Sequence, residues 1–239
     1  MFWTDALYSK LLVQRLKRFA PVMAEIIPLA SQQSSLAESA ERFGSDKGSV
    51  IEGDSRLGWP AHTYTFFYER HFRGKENSVQ FVLECGIGTD NPELVSSMGE
   101  RGSPGASLRL WRDFFPNAEV IGVDIDKGIL FQEERIRTFE LDQTDGQSTS
   151  ELLQQLDLKF DLIIDDGLHT FDAGISFFES SFPFLAKGGL YVIEDVTETD
   201  ALDFMKYFAK SPLIVEIVRL RRGKSRIGDN QLLCIYGNR

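Results

Sequence analysis

From Gln80 onward the chain alternates short apolar runs with stretches that carry apolar residues at helical spacing. Phe81–Gly88 with its glycine-rich exit, Glu119–Asp124, Ile136–Leu141, the block Leu162–Ile164 within Phe160–His169, and Gly189–Asp195 each hold the short run of branched and aromatic residues expected of a strand buried on both faces. Strands that alternate with helices argue for a largely parallel α/β sheet. Leu213–Leu220 and Gln231–Tyr236 follow as a terminal pair of strands, joined by the basic stretch Arg221–Asn230. Before Gln80 the pattern is helical. Leu7, Leu11, Leu12, Leu16 and Phe19 recur at helical spacing and predict helix over residues 1 to about 30, with Pro21 breaking the run. Ser31–Arg42 predicts a second helix ended by Gly44, and Ser45–Gly48 opens a glycine-rich loop reaching Pro60. His62–Phe72 predicts a helix with an aromatic face of Tyr64, Phe67, Tyr68 and Phe72. The expected division is a helical cap over 1–75, a substrate or oligomer region, and a catalytic domain over 76–239.

Composition narrows the picture. With 239 residues and 42% hydrophobic content the chain can bury a sizeable core. A formal net charge of −10 argues against nucleic acid as partner, because phosphate backbones are bound by basic faces. No run approaches the roughly 18 apolar residues of a membrane span, and the N-terminus lacks a secretory signal pattern, so the expected location is the cytoplasm, away from membranes. Cys85 and Cys234 lie inside apolar runs, without metal or redox spacing, and read as small buried hydrophobes.

The candidate chemistry sits where two of the apolar runs end. Leu162, Ile163 and Ile164 lead into Asp165, Asp166, Gly167 and His169, and Tyr191–Ile193 leads into Glu194 and Asp195. Parallel sheets bind ligands at the carboxyl edge of their strands, and neighbouring strands lie only ~4.8 Å apart. If the two runs are neighbours, their acids converge on one small volume beside His169. Crowded carboxylates need a cation or a raised pKa. Oxygen ligands of this kind suit Mg²⁺ or a similar hard divalent ion. The turn after the first strand carries Gly86 and Gly88, and Asp124 ends the second strand, where an acid takes both ribose hydroxyls. The third glycine of the dinucleotide fingerprint is missing, and Glu84 just before the turn suits a cationic amino-acid moiety, which favours S-adenosylmethionine over a nicotinamide cofactor. A polar insertion, Thr89–Arg101, delays the next helix to about Ser103–Arg112.

With these motifs, residues 81 to 196 resemble the metal-dependent sugar O-methyltransferases of the macrocin and mycinamicin type. The matching elements are Leu83–Gly88, Gly105–Trp111, Phe114–Pro116, Gly122–Asp126, Asp142–Gln143, Ile164–His169 and Tyr191–Asp195, with Phe43–Gly48 and His62–Tyr64 resembling the segment ahead of that core. The resemblance implies a Rossmann-like class I methyltransferase sheet, seven-stranded and mostly parallel with one antiparallel strand, and helices on both faces. It implies S-adenosylmethionine held by Glu84, Gly86, Gly88, Ser107, Asp124, Asp142, Gln143 and Asp165. It further implies Mg²⁺ (or Mn²⁺) on Asp166, Glu194 and Asp195, and His169 as the general base that deprotonates a saccharide hydroxyl. In that sheet the first and last strands stand three positions apart, which excludes a Cys85–Cys234 disulfide. The chain departs from the pattern at Leu168, where serine is common, and in having no large auxiliary region before the core. Asp165 has an alternative role bonding backbone groups, since adjacent strand residues face opposite ways. His71 reads as structural, His62 as packing or ligand contact, and Arg219–Arg226 as a solvated hairpin or a cover over the site. A homo-oligomer through the N-terminal helices is a further expectation. Competing readings are a metal-dependent hydroxylase of the cephalosporin type on the same fold, for which a two-histidine, one-carboxylate iron set is not apparent, and a non-catalytic nucleoside-binding module.

Overall fold

In the computed structural model the apolar runs of the second half of the chain are the strands of one twisted sheet. Residues 22–26, 34–49, 57–220 and 228–237 are described. The strands are β1 (Val22–Ile26), β2 (Phe81–Cys85), β3 (Glu119–Asp124), β4 (Gln132–Glu133), β5 (Ile136–Glu140), β6 (Phe160–Asp165), β7 (Leu185–Ile193), β8 (Ile214–Leu220) and β9 (Gln231–Tyr236). Their order is β1-β8-β9-β7-β6-β2-β3-β5-β4. All pairings are parallel except those of β9 with β7 and β8, and of β4 with β5. The sheet thus has nine strands rather than the seven expected, because β1 and β4 add to its two edges; between them β9 is the antiparallel member. β2 and β9 stand three positions apart, and both cysteines are free and buried.

The strand β1 corrects one expectation, since residues 22–26 fall inside the stretch read as helix. Its backbone pairs in register with β8, from Val22 opposite Glu216 to Ile26 opposite Leu220. An open strand edge offers backbone donors and acceptors that need partners, and this non-local demand outweighs a local helical period. Leu7 to Phe19, and with them the oligomer surface expected there, lie outside the described residues.

Among the described residues six α-helices cover the sheet: α1 (Ser35–Phe43), α2 (Tyr64–Phe72), α3 (Ala106–Phe114), α4 (Gly146–Leu156), α5 (Phe171–Ser181) and α6 (Glu198–Phe208). Alternation along the strands sends successive side chains to opposite layers. Val82, Leu162 and Ile164 join Leu36, Tyr64, Phe67, Tyr68 and Trp111 beneath α1–α3. Leu83 and Ile163 join Leu153, Phe177, Phe178 and Phe204 beneath α4–α6. The aromatic face of α2 is therefore core, and α1 and α2 pack on the same sheet as the segments that follow. Local chemistry sets the helix ends: Ser34 Oγ accepts from Ala37 N at 2.9 Å, and Gly44 closes α1 at φ 85°.

Asn230 ties the start of α2 to the far edge of the sheet. Its Oδ1 accepts from Thr63 N at 3.1 Å, and its Nδ2 donates to Thr63 Oγ1 at 3.0 Å and to Leu220 O at 2.9 Å, all buried. Asn230→Ala leaves a buried donor and acceptor unpaired, at about 1–3 kcal/mol each. Urea unfolding is expected to lose roughly 2–4 kcal/mol with an unchanged m-value; a loss under about 1 kcal/mol would remove Asn230 from this role.

Candidate functional site

The register of the central strands places the site. Cys85, Asp165 and Ile193 stand side by side on β2, β6 and β7, so the residues just beyond them, Gly86, Asp166, Glu194 and Asp195, emerge together at one carboxyl edge. Backbone bonds carry the alignment past the strand ends: Asp166 N donates to Cys85 O at 2.8 Å and Glu194 N to Asp165 O at 2.9 Å. The expected adjacency of the two acid-tipped strands is thus present.

Glu84, Asp166 and Glu194 meet an ammonium group that the sequence reading did not assign. Lys47, from the turn after α1, is 2% exposed. Its Nζ donates to Asp166 Oδ2 and Glu194 Oε2 and lies 3.2 Å from Glu84 Oε1. The second oxygens of the two glutamates are also held: Tyr68 Oη donates to Glu194 Oε1 at 2.6 Å, and Ser107 Oγ to Glu84 Oε2 at 2.7 Å. Burial pulls the Lys47 pKa down, but Asp166, Glu194 and Glu84 outweigh it and hold it well above the usual lysine value. Burial pushes the Glu194 carboxyl well up against the pull of Lys47, and raises Asp166, which Asp195 raises further. The available signal was a lone lysine in a glycine-bounded turn, and nothing local in Ser45–Gly48 says what the lysine faces.

A second cluster surrounds Asp195. Tyr64 Oη donates to its Oδ1 at 2.6 Å, His62 Nε2 lies 3.5 Å from the same oxygen, and His169 Nε2 lies 3.7 Å from Oδ2. Burial opposes ionisation of Asp195, but His62, His169 and the Tyr64 hydroxyl outweigh it and keep its pKa below the ordinary range. Asp166, His169 and Asp195 each offer a ligand atom within 4.8 Å of the others. Glu194 stands just behind that set, its carboxylate taken by Lys47 and Tyr68. Both His169 and Asp195 adopt positive φ, 55° and 53°, a conformation that costs non-glycine residues about 1–3 kcal/mol and gathers at functional sites. Nδ1 of His62 and of His169 is buried without a hydrogen-bond partner among the described residues. His71 is elsewhere, stacked on Phe67 and facing Tyr236, as its structural reading expects.

Beside these clusters opens a cleft lined by Gly86, Gly88, Asp124, Asp142, Gln143, Asp166, His169 and Asp195, with Val95, Met98 and Ile125 as its apolar residues. A Cβ on Gly86 would sit 2.0 Å from Asp166 O, and Gly86 has φ 82°, so the turn admits no side chain there. Asp124 accepts from Ile87 N and Asp126 N at 2.8 Å each, one bond per oxygen, which fixes its rotamer at the cavity wall. Gln143 braces the opposite side, donating to Asp165 Oδ1 at 2.9 Å and accepting from Leu168 N at 2.7 Å. Of the residues implied as cofactor contacts, Glu84 and Ser107 lie outside the lining of this cavity, and Asp165 lines a smaller pocket next to it with His169 and Asp195. The insertion after Thr89 closes on itself through Met98 N donating to Thr89 O at 2.7 Å and lends the cavity Val95 and Met98. Arg219 bonds Gln231 and faces Glu198; Arg221–Arg226 lie outside the described residues.

No family model matches the chain. It is 38% identical over 173 residues, 70% of its length, to mycinamicin VI 2''-O-methyltransferase of Micromonospora griseorubida, covering 41% of that protein. It is 39% identical over 136 residues to demethylmacrocin O-methyltransferase of Streptomyces fradiae, covering 56% of this chain and 32% of that one. The chain thus spans about a third to two-fifths of the length of the curated relatives it matches. Among solved structures, the MycE methyltransferase from the mycinamycin biosynthetic pathway in complex with Mg and SAH superposes with a TM-score of 0.61 at 27% identity, over 87% of this chain and 56% of that one. The chain is homologous to sugar O-methyltransferases, and its fold is the Rossmann-like class I methyltransferase fold.

Burial raises the pKa of Asp165 to about 6, and its Oδ2 has no hydrogen-bond partner among the described residues. A folded-state pKa above the unfolded value of about 3.9 means that the native state binds the extra proton, so the stability this group contributes at low pH is lost as pH rises through about 6. Asp165→Asn is expected to melt higher than the native protein at pH 7.5, by up to about 3 kcal/mol at 1.36 kcal/mol per unit, with the gap closing by pH 4. Thermal melts giving the same gap at both pH values would show that folding does not raise the Asp165 pKa.

Proposed function

We propose that this chain is a divalent-metal-dependent O-methyltransferase that moves the methyl group of S-adenosylmethionine to a hydroxyl of a sugar or glycosylated small molecule. The observation that carries the reading is that one cavity is lined both by the Gly86–Gly88 turn and Asp124 and by Asp166, His169 and Asp195. A nucleoside cofactor and an acceptor hydroxyl can therefore share it. The homology to sugar O-methyltransferases and the likeness to a methyltransferase solved with Mg and SAH support the same assignment. A net charge of −10 supports a saccharide rather than a nucleic-acid acceptor, and no described helix is long and apolar enough to cross a membrane.

The donor set fits a hard cation. Three carboxyl groups, Glu84, Asp166 and Glu194, face a single ammonium, Asp195 stands beside Asp166, and the charge left over is what Mg²⁺ or Mn²⁺ would neutralise. Asp166, Glu194 and Asp195 are the residues that would hold it, and when bound it supplies the positive charge that stabilises an alkoxide at the acceptor oxygen. Asp124 presents its carboxylate to the ribose hydroxyls, and the glycine turn lets the cofactor approach the backbone. His169 takes the acceptor proton, its ring held at the cavity wall by a strained backbone and by Asp195. The remaining work is positioning, because methyl transfer runs in line and a shared cavity holds both partners at reacting distance.

The hydroxylase reading has one observation in its favour: His62 joins His169 at Asp195, a two-histidine, one-carboxylate grouping that spacing along the chain conceals. The cofactor-type cavity and the relatives favour methyl transfer.

Two measurements test this. Asp124→Ala should weaken S-adenosylmethionine binding by roughly 1.5–3 kcal/mol in calorimetry, and an unchanged affinity would take Asp124 out of the ribose site. Turnover should stop on chelation and return with Mg²⁺ or Mn²⁺, while His169→Ala should cut it by about 10²–10⁴-fold and leave Mn²⁺ affinity nearly intact. Full turnover in excess chelator, or loss of Mn²⁺ from His169→Ala as complete as from Asp166→Ala, contradicts the assignment of metal and base.

A further inference from the structure

Lys47 takes oxygens that a metal would need. Tyr68 holds Glu194 Oε1, so the oxygen that Glu194 has left for the site is Oε2, and Lys47 Nζ is bonded to it. The same ammonium is bonded to Asp166 Oδ2. A divalent ion brought to these oxygens would compete with the ammonium for them, and two cations at this range repel.

The ammonium is also delivered firmly. The Ser45–Gly48 turn is tied to α1 by Ser45 N donating to Ala40 O at 2.9 Å, and to the α2 segment by His62 N to Asp46 O at 2.7 Å and Thr65 N to Lys47 O at 3.2 Å. Gly48 packs so closely that a Cβ would meet Thr65 Oγ1 at 2.2 Å. The backbone of Lys47 is thus fixed, and what can yield is the end of its four-carbon stem.

We propose that Lys47 is a resident counter-cation of the acidic site: it stands in for the metal by holding Glu194 and Asp166 in the metal-free protein, and it weakens divalent binding because the ion must displace it from Glu194. The proposal rests on the metal-dependent reading above. It assigns Lys47 as a positioning residue with two opposed effects, stabilising the metal-free fold and lowering metal affinity, and a lysine that merely filled space would have neither.

Lys47→Met keeps the length and volume of the side chain and removes the charge. Mn²⁺ titrated into metal-depleted protein and followed by electron paramagnetic resonance should bind about tenfold or more tightly in Lys47→Met, the scale set by removing a like charge at contact range. In thermal melts the variant should lose stability without metal and recover it with Mg²⁺, so that its metal-induced rise in Tm exceeds that of the native protein. Lys47→Met/Glu194→Gln should recover metal-free stability and lose the added affinity. Should Lys47→Met alone fail to fold without metal, Mn²⁺ should restore its fold, and failure to do so overturns the proposal. Affinity equal to or weaker than native in Lys47→Met also overturns it, because Lys47 would then be an aligning part of the metal site. Native protein that binds no Mn²⁺ at all removes the metal-dependent reading itself, and the proposal with it.

Discussion

Everything around the site answers to one constraint: a parallel sheet whose central strands end in acids buries several carboxyl groups together, out of reach of water. Glu84 and Glu194 are at most 1% exposed, and Asp165 is 3% exposed. Taking a carboxylate from water into such surroundings costs several kcal/mol unless partners replace the lost hydration. The replacement comes from outside the sheet. Lys47 arrives from the turn after α1, Tyr64 and Tyr68 from α2, Ser107 from α3 and Gln143 from the turn after β5. The helices on the α1–α3 face thus have a second task besides covering apolar surface, which is to bring polar groups to the strand ends.

That division explains what could be read from the sequence. Local signals specified the strands from β2 onward apart from the two-residue β4, because each apolar block is long enough to fill both layers of the core, and they specified the acids and the glycine turn, because those follow the blocks directly in the chain. The glycine that ends α1 and the buried aromatic face of α2 were legible for the same reason, whereas the helix begins at Ser35, past the expected Ser31. What the sequence concealed is non-local. Lys47 is 119 residues from Asp166 and 147 from Glu194, and the aromatic spacing that marks Tyr64 and Tyr68 as core says nothing about hydroxyls aimed at acids. β1 was concealed likewise, because its conformation is set by the open edge of β8 rather than by its own residues. His62 looked isolated until the fold carried it to Asp195.

The arrangement also separates two kinds of acid within each motif. In Asp165–Asp166 the first carboxyl turns toward α5 and Gln143 and the second toward Lys47, as alternation along an extended strand requires. Asp165 therefore braces the turn that carries His169, and Asp166 is left to face the cavity. Glu194–Asp195 breaks this rule. Both carboxylates meet hydroxyls of the same helix, which adjacent extended residues could not do, and the positive φ of Asp195 is the departure from extended backbone that permits it.

Tyr64 and Tyr68 are one helical turn apart on α2 and grip consecutive residues of the sheet edge, so the helix works as a gauge against which the two acids are spaced. A roll of α2 about its axis carries both hydroxyls sideways at once, and the pair of carboxylates must follow or lose its grip. The tilt of α2 is set also at its other end, by Phe72 packing in the hydrophobic layer and against the ring of Phe115. Aromatic packing at the distant end of one short helix is in this way mechanically geared to the geometry of the reacting centre, and sequence drift in that packing is a route by which the site can be retuned without touching a polar residue.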